Sequence, residues 1–318
     1  FWMSNNEVNV VEADEYDRSF LRLKPDIALI SAMDPDHLDI YGNVENMRAA
    51  FYQFAGLVEE EKGLLITKFG LSVEGAMPHQ HLTYSLQNES ADVFAQNILI
   101  KDGGYEFDIQ CPASRLENFR INMGGMYNVE NAVAAITIAR HLGVDENKIR
   151  EAVREFRGVH RRFEYKIDVQ QARKLKYNVV YIDDYAHHPE ELKALLRGAR
   201  SLFNDRWITI IFQPHLYTRT RDLYKDFAEA LSIANTVILM PIYPARELPI
   251  RGVTSEMIAR EITSEKVEIM EARELERWLK EDYLKSHLHG MNGDVLITAG
   301  AGNIDRLVRP FQQILLNQ

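Results

Sequence analysis

Between Asn178 and Leu315 the sequence alternates short apolar runs with longer stretches whose apolar residues recur at helical spacing. This alternation constrains the fold more than any other feature, because each element can bury its apolar face only against the next. The runs Asn178–Asp183, Trp207–Phe212, Thr236–Met240, Val267–Met270 and Val295–Ala299 read as strands covered on both faces. Helix patterns lie between and after them at Pro189–Leu202, Arg221–Ala234, Thr254–Ile262, Ala272–Leu284 and Ile304–Leu315. Strand and helix in strict turn predict a mainly parallel sheet with helices on both sides. In such open α/β sheets, ligands gather outside the carboxyl ends of the strands, so the loops there should carry the chemistry.

The first half is less regular. Val8–Val11 and Ile27–Ser31 read as short buried strands, with a helix at Asp17–Leu23 between them. Val44, Met47, Phe51 and Phe54 mark an amphipathic helix. Further strands are expected at Gly63–Thr67, Leu82–Leu86, Asp92–Ile100, Tyr105–Cys111 and Leu116–Ile121, with Gly103-Gly104 as a hairpin signal. A long helix follows at Asn128–His141, stopped by Gly143, and another at Asp145–Phe156. The pattern changes near Gly158–Phe163, so two α/β domains are expected, residues 1–160 and 161–318.

A chain of 318 residues with 46% hydrophobic content is long enough for two cores. Its net charge of −10 argues against nucleic acid or an anionic membrane as partner, since either favours a broad basic face. The single Cys111 cannot form an internal disulfide, and no apolar run approaches the ~18 residues of a spanning helix. A reducing cytoplasm is the natural compartment; a monomer or weak homodimer acting on small molecules is the expectation for the chain as a whole, not a result of its composition.

Six loop segments hold the residues suited to chemistry. Glu12, within Val11-Glu12-Ala13-Asp14-Glu15, and His37, within Asp36-His37-Leu38-Asp39, are placed to reach a cation at two strand ends, while Asp14, Glu15, Asp17, Asp36 and Asp39 fit equally well as helix caps and loop charges. Gly124-Gly125 leads to Asn128 and Asn131, one helical turn apart; a carboxamide donates and accepts at once, as an adenine edge requires, yet Asn is also a preferred cap. In Asp183-Asp184-Tyr185-Ala186-His187-His188-Pro189, Pro189 suits a first helical position, and the histidines with Glu191 suit substrate contact, metal binding or capping. His215, Arg219 and Arg221 follow another strand, where a helix N-terminus and guanidinium forks favour an anion. Gly300-Ala301-Gly302-Asn303 makes a tight turn into the last helix.

Taken in order, these blocks, with Arg161-Arg162-Phe163, resemble the Mur ligases of bacterial cell-wall synthesis across nearly the whole chain. The resemblance lies nearest the branch that joins L-alanine to UDP-N-acetylmuramate. It implies a partial ATPase-type central domain followed by a Rossmann-like domain. It also implies Mg²⁺ held by Glu12 and His37, ATP bound by Asn128, Asn131, Arg162 and Asp184 across the domain junction, and the muramoyl carboxylate and L-alanine facing Tyr185, His187, His215 and Arg219. Glu12, His37 and His187 would then be catalytic.

Some positions depart from the family pattern. The Gly-rich phosphate loop with its Lys and Thr has no counterpart here, nor has the domain that binds the uridine nucleotide, so sequence is expected upstream and this stretch alone is not expected to ligate. Leu216 stands where many relatives carry Arg, and Tyr127 where a His often precedes the first Asn. The lysine that sister ligases carbamylate has no counterpart between Met47 and Phe54. The other readings compatible with the sequence are a murein-tripeptide recycling ligase, a metal-dependent phosphohydrolase built on Asp36-His37 and His187-His188, and a nucleotide-binding remnant.

Overall fold

A computed structural model describes residues 8–34, 38–75, 78–286 and 292–317. The chain divides into two compact units, one comprising Phe1–Ile98, Phe107–Phe119 and Val129–Arg150, the other Leu99–Glu106, Arg120–Asn128 and Glu151–Gln318.

Six strands form the first sheet, in the order β1 (Ile27–Ile30), β2 (Leu64–Lys68), β3 (Gln80–Ser85), β4 (Val93–Lys101), β5 (Gly104–Cys111), β6 (Ser114–Ile121). β1 to β4 pair in parallel, and β4 to β6 follow as successive hairpins. The β4–β5 turn falls on Asp102-Gly103, one residue before the expected Gly103-Gly104. Both turn residues have positive φ (47° and 75°), the conformation that an Asp-Gly pair supplies in a two-residue hairpin. Gly104 is needed for a different reason: a Cβ there would lie 2.2 Å from the Ile121 carbonyl oxygen.

The expected strand Val8–Val11 is reduced to a bridge at Val10, and Val8, Val10 and Val11 are exposed; a short apolar run becomes a strand only where a neighbouring ladder pairs its backbone. The helix expected at Asp17–Leu23 is a 3₁₀ turn, Ser19–Arg22. Its Phe20 packs against Phe54 at a ring-centroid distance of 5.0 Å, on the buried face of the helix Val44–Ala55. The Asp14 and Asp17 carboxylates accept the Tyr16 and Ser19 amides at 2.9 Å and so close local turns, while the N-cap position of the 3₁₀ turn is Arg18, which makes no side-chain cap bond.

The second sheet has the order β11 (Lys266–Ile269), β10 (Thr236–Leu239), β9 (Trp207–Phe212), β12 (Asp294–Ala299), β8 (Val179–Asp184), β7 (Glu164–Ile167). All neighbours are parallel except β7. Every residue of β8, β10 and β12 is buried, which is why these strands read as continuous apolar runs rather than alternations. The helices supply the cover. Pro189–Leu202 buries Leu192, Leu195, Leu196 and Ala199, and Asp305–Leu316 buries Leu307, Val308, Phe311, Ile314 and Leu315. β12 enters between β8 and β9 although it comes last in the chain, so the loops following all three strands meet at one edge.

Other boundaries shift for local reasons. The helix expected from Arg221 begins at Tyr217, directly after Leu216, whose φ of 72° turns the chain into it. The one expected at Asn128 begins at Met126, placing Asn128 inside the first turn rather than at the cap. The pattern at Ala272–Leu284 is an α-helix, Ala272–Trp278, followed by a π turn, Leu279–Tyr283. Among the described residues no helix is long and apolar enough to cross a membrane.

Leu196 is wholly buried under the second sheet. Replacing it with alanine removes both the transfer energy and its packing partners, and should cost about 2–5 kcal/mol. Chemical denaturation should show this as a lower midpoint with an unchanged slope; a midpoint equal to that of the unsubstituted protein would contradict the assigned core.

Candidate functional site

The carboxyl edge of the second sheet gathers four polar loops, after β8, β9, β10 and β12. Asp183 and Asp184 end β8, and because successive strand residues point to opposite faces they meet different partners. Asp183 Oδ2 accepts from Arg161 Nε at 2.9 Å and Oδ1 from the Thr298 hydroxyl at 2.7 Å. Asp184 accepts the Phe163 amide on Oδ2 and the Ala186 amide on Oδ1, each at 2.7 Å. Burial raises the pKa of both carboxyls, and that of Asp184 reaches about 6 despite its two amide donors. Asp184 is 4% exposed, so what it holds is the backbone around Arg162 and His187.

Beyond β8, Glu191 closes the start of the helix Pro189–Leu202 by accepting the His187 and His188 amides at 2.8 and 3.1 Å. This fixes the His187 ring, whose Nδ1 lies 3.1 Å from the Tyr185 carbonyl oxygen. Donation from Nδ1 leaves Nε2 as the acceptor nitrogen. Burial lowers the His187 pKa, with Glu191 opposing, so the ring is neutral at pH 7. His188 is exposed.

His215, on the β9 loop, stacks on Tyr243 from the β10 loop at 5.7 Å between ring centroids and lies 6.1 Å from the His187 ring. Burial, then Arg219 and His187, lower its pKa. Its Nδ1 is buried and meets no hydrogen-bond partner among the described residues. Arg219 sits in the first turn of the helix Tyr217–Leu231 and reaches the His187 carbonyl at 3.5 Å, while Glu247 accepts the Thr218 amide at 3.0 Å. Arg221 is paired instead with its neighbour Asp222.

The β12 loop is shaped by close approach. A Cβ on Gly302 would lie 2.3 Å from Gln213 Oε1, and that same oxygen accepts the Ile304 amide at 2.9 Å. Tyr185 extends the aromatic row, 5.2 Å from His187, and Arg162 is exposed 6.0 Å above its ring. The edge therefore offers two neutral imidazoles, aromatic faces and two guanidinium groups, a set suited to a carboxylate or phosphate beside an amine.

Several predicted residues lie apart from this group in the chain. Asn128 donates its amide to the Gly124 carbonyl at 2.7 Å, and Asn131 is exposed one turn further along the same helix. Gly124 is required because a Cβ would lie 2.1 Å from the Phe163 ring, and Gly125 because its φ is 84°. Glu12, in the first unit, is exposed, and His37 lies outside the described residues. Among the described residues no three His, Cys, Asp or Glu side chains gather as a metal site, so His187, His188 and Glu191 do not form the zinc set that their spacing allowed. Arg161, by contrast, is buried at the centre of the loops. The sequence signalled it only as one of two adjacent arginines.

Fold and loop chemistry together define an α/β protein whose second sheet gathers imidazole, aromatic and guanidinium groups at its carboxyl edge. Comparison places it more narrowly. Residues 3–139 match the Mur ligase middle domain and residues 161–302 the Mur ligase, glutamate ligase domain. The chain belongs to the Mur ligase family. It is 44% identical to a UDP-N-acetylmuramate–L-alanine ligase of Porphyromonas gingivalis, over 98% of this chain and 65% of that protein. The enzyme of the same name from Flavobacterium johnsoniae is 41% identical, over 97% of this chain and 63% of that protein. The crystal structure of UDP-N-acetylmuramate–alanine ligase from Thermotoga maritima superposes with a TM-score of 0.72 at 25% identity, covering 95% of this chain and 62% of that one. The chain thus spans somewhat less than two thirds of the length of these relatives.

The Asp184 carboxyl should titrate near pH 6, about two pH units above an unfolded aspartate. A folded-state pKa above the unfolded one makes the contribution to stability greatest below pH 4 and smaller as pH rises through 6. The unfolding free energy relative to Asp184→Asn should therefore fall between pH 4 and pH 7. A pH-independent difference, or a carboxyl ¹³C titration near 4, would contradict this environment.

Proposed function

We propose that the chain is the catalytic portion of an ATP-dependent ligase that joins L-alanine to the lactyl carboxylate of UDP-N-acetylmuramate, a cytoplasmic step in peptidoglycan precursor synthesis. Residues 1–160 would form the ATP-binding domain and residues 161–318 the domain facing the amino acid. The observation that carries this reading is the pair of neutral histidines beside Arg219, one with an unpartnered buried nitrogen, in a chain whose relatives bear that ligase name.

In the proposed reaction the γ-phosphoryl group passes to a carboxylate oxygen, giving ADP and an acyl phosphate. The alanine nitrogen then attacks the acyl carbon, the amine loses a proton, and inorganic phosphate leaves. Arg219 and the N-terminal turn of its helix supply positive potential for the carboxylate and the phosphoryl group, in a transfer that depends mainly on positioning and electrostatics. His187, neutral and held with Nε2 free to accept, is suited to take the amine proton. His215 would orient the same amine or carboxylate, with Tyr185 forming the wall. On the nucleotide side, Asn128, Asn131 and Arg162 would contact ATP, and Asp184 would set the turn that presents Arg162.

Mg²⁺ needs only one or two protein oxygens, so the exposed Glu12 carboxylate fits as a donor, and His37 is the second residue proposed to hold the metal. Bound Mg²⁺ would neutralise phosphate charge during transfer.

Phosphate release by the full-length gene product should require ATP, UDP-N-acetylmuramate and L-alanine together. Release without the amino acid would favour a phosphohydrolase, and no turnover a binding remnant. Replacing Glu12 with alanine should abolish ligation while leaving the circular dichroism spectrum and melting temperature unchanged; undiminished activity would remove Glu12 from the metal site.

A further inference from the structure

Arg161 makes contacts that its exposed neighbour Arg162 does not. Its Nε donates to Asp183 at the end of β8, and its Nη2 donates to the Gly300 carbonyl at the end of β12, 2.7 Å away. Its own carbonyl accepts the Tyr185 amide at 2.7 Å, and its guanidinium lies 5.3 Å from the centre of the Tyr185 ring. The residue is 9% exposed and has a φ of 57°, and Phe163, two residues on, has a φ of 45°. Neither is a glycine, so this left-handed turn persists only because its surroundings hold it. Those surroundings include Arg161 on Asp183, the Phe163 amide on Asp184 and the Arg161 amide on the Glu164 carboxylate at 2.9 Å. Asp183 is anchored in turn by Thr298, its register partner on β12.

We propose that Arg161 is a positioning residue: the Arg161–Asp183 pair clamps the 158–163 turn, the Tyr185 loop and the Gly300 turn into one rigid edge, and so pre-shapes the face that receives the nucleotide. The inference rests on the ligase reading above and assigns a buried side chain to it. Arg161 touches no reacting atom. Its guanidinium satisfies an aspartate and a carbonyl on adjacent strands at once, which a shorter, single-headed ammonium cannot do. Losing it would let Tyr185 and Arg162 sample other positions, and ATP would have to order the turn that carries Arg162 on binding.

The test compares Arg161→Met, Arg161→Lys and Asp183→Asn in the full-length protein. Arg161→Met should raise the KM for ATP at least tenfold with kcat within about threefold, and Arg161→Lys should recover part of that loss. Asp183→Asn, which keeps shape and an acceptor, should shift KM in the same direction and keeps the question open to decision if Arg161→Met does not fold. An ATP KM within twofold of wild type in a folded Arg161→Met or Asp183→Asn variant would overturn the clamp, even if the melting temperature fell. Amide hydrogen exchange at Tyr185 reads the clamp without turnover: it should be protected in the wild type and exchange at least tenfold faster in Arg161→Met. Equal protection would overturn the proposal. If the wild type shows no alanine-dependent turnover, the ligase reading fails, while Tyr185 exchange still decides whether Arg161 holds the loops.

Discussion

Two adjacent carboxylates at the end of a fully buried strand, Asp183 and Asp184, are the constraint on which the rest of the candidate site depends. Burying an unpaired carboxylate costs more than a small domain can sustain, so each must be met by donors. Strand geometry sends them to opposite faces, one toward Arg161 and Thr298, the other toward the Phe163 and Ala186 amides. Meeting those demands fixes the turn before β7, the loop after β8 and the loop after β12. The exposed Arg162 and Tyr185 and the partly buried His187 stand on segments held in this way.

The same logic separates the residues that meet solvent from those that support them. Glu191 is engaged by the His187 and His188 amides, Glu247 by Thr218, and Gln213 by the Gly300–Asn303 turn. The two histidines, partly buried beside cationic groups, stay neutral. A site assembled this way has its supporting carboxylates and amides engaged by neighbouring groups and keeps two imidazoles and two guanidinium groups at one sheet edge, the donor set that the proposed anion and amine would need.

Much of the second sheet was legible in the sequence because its strands are buried on both faces and its helices carry regular apolar stripes; Pro189–Leu202 and Trp207–Phe212 coincide with the predicted bounds. Boundaries moved where a single residue's backbone decided them, as at Leu216 and at Asp102-Gly103. Val8–Val11 misled because an apolar run carries no information about whether a partner strand lies beside it. The loop after β8 was recognisable from its paired histidines and following proline. The role of Arg161 was not, since nothing in Arg161-Arg162 says which guanidinium turns inward.

By itself the sequence determined the alternation of strand and helix, the sheet end at which polar loops had to lie, and the residue types available there, because periodicity and composition are local properties. Only the tertiary structure decided that β12 inserts between β8 and β9 and brings Gly300 and Thr298 against Asp183 and Arg161. These contacts join residues more than a hundred positions apart, and which buried charge meets which partner is fixed by packing and desolvation rather than by spacing along the chain.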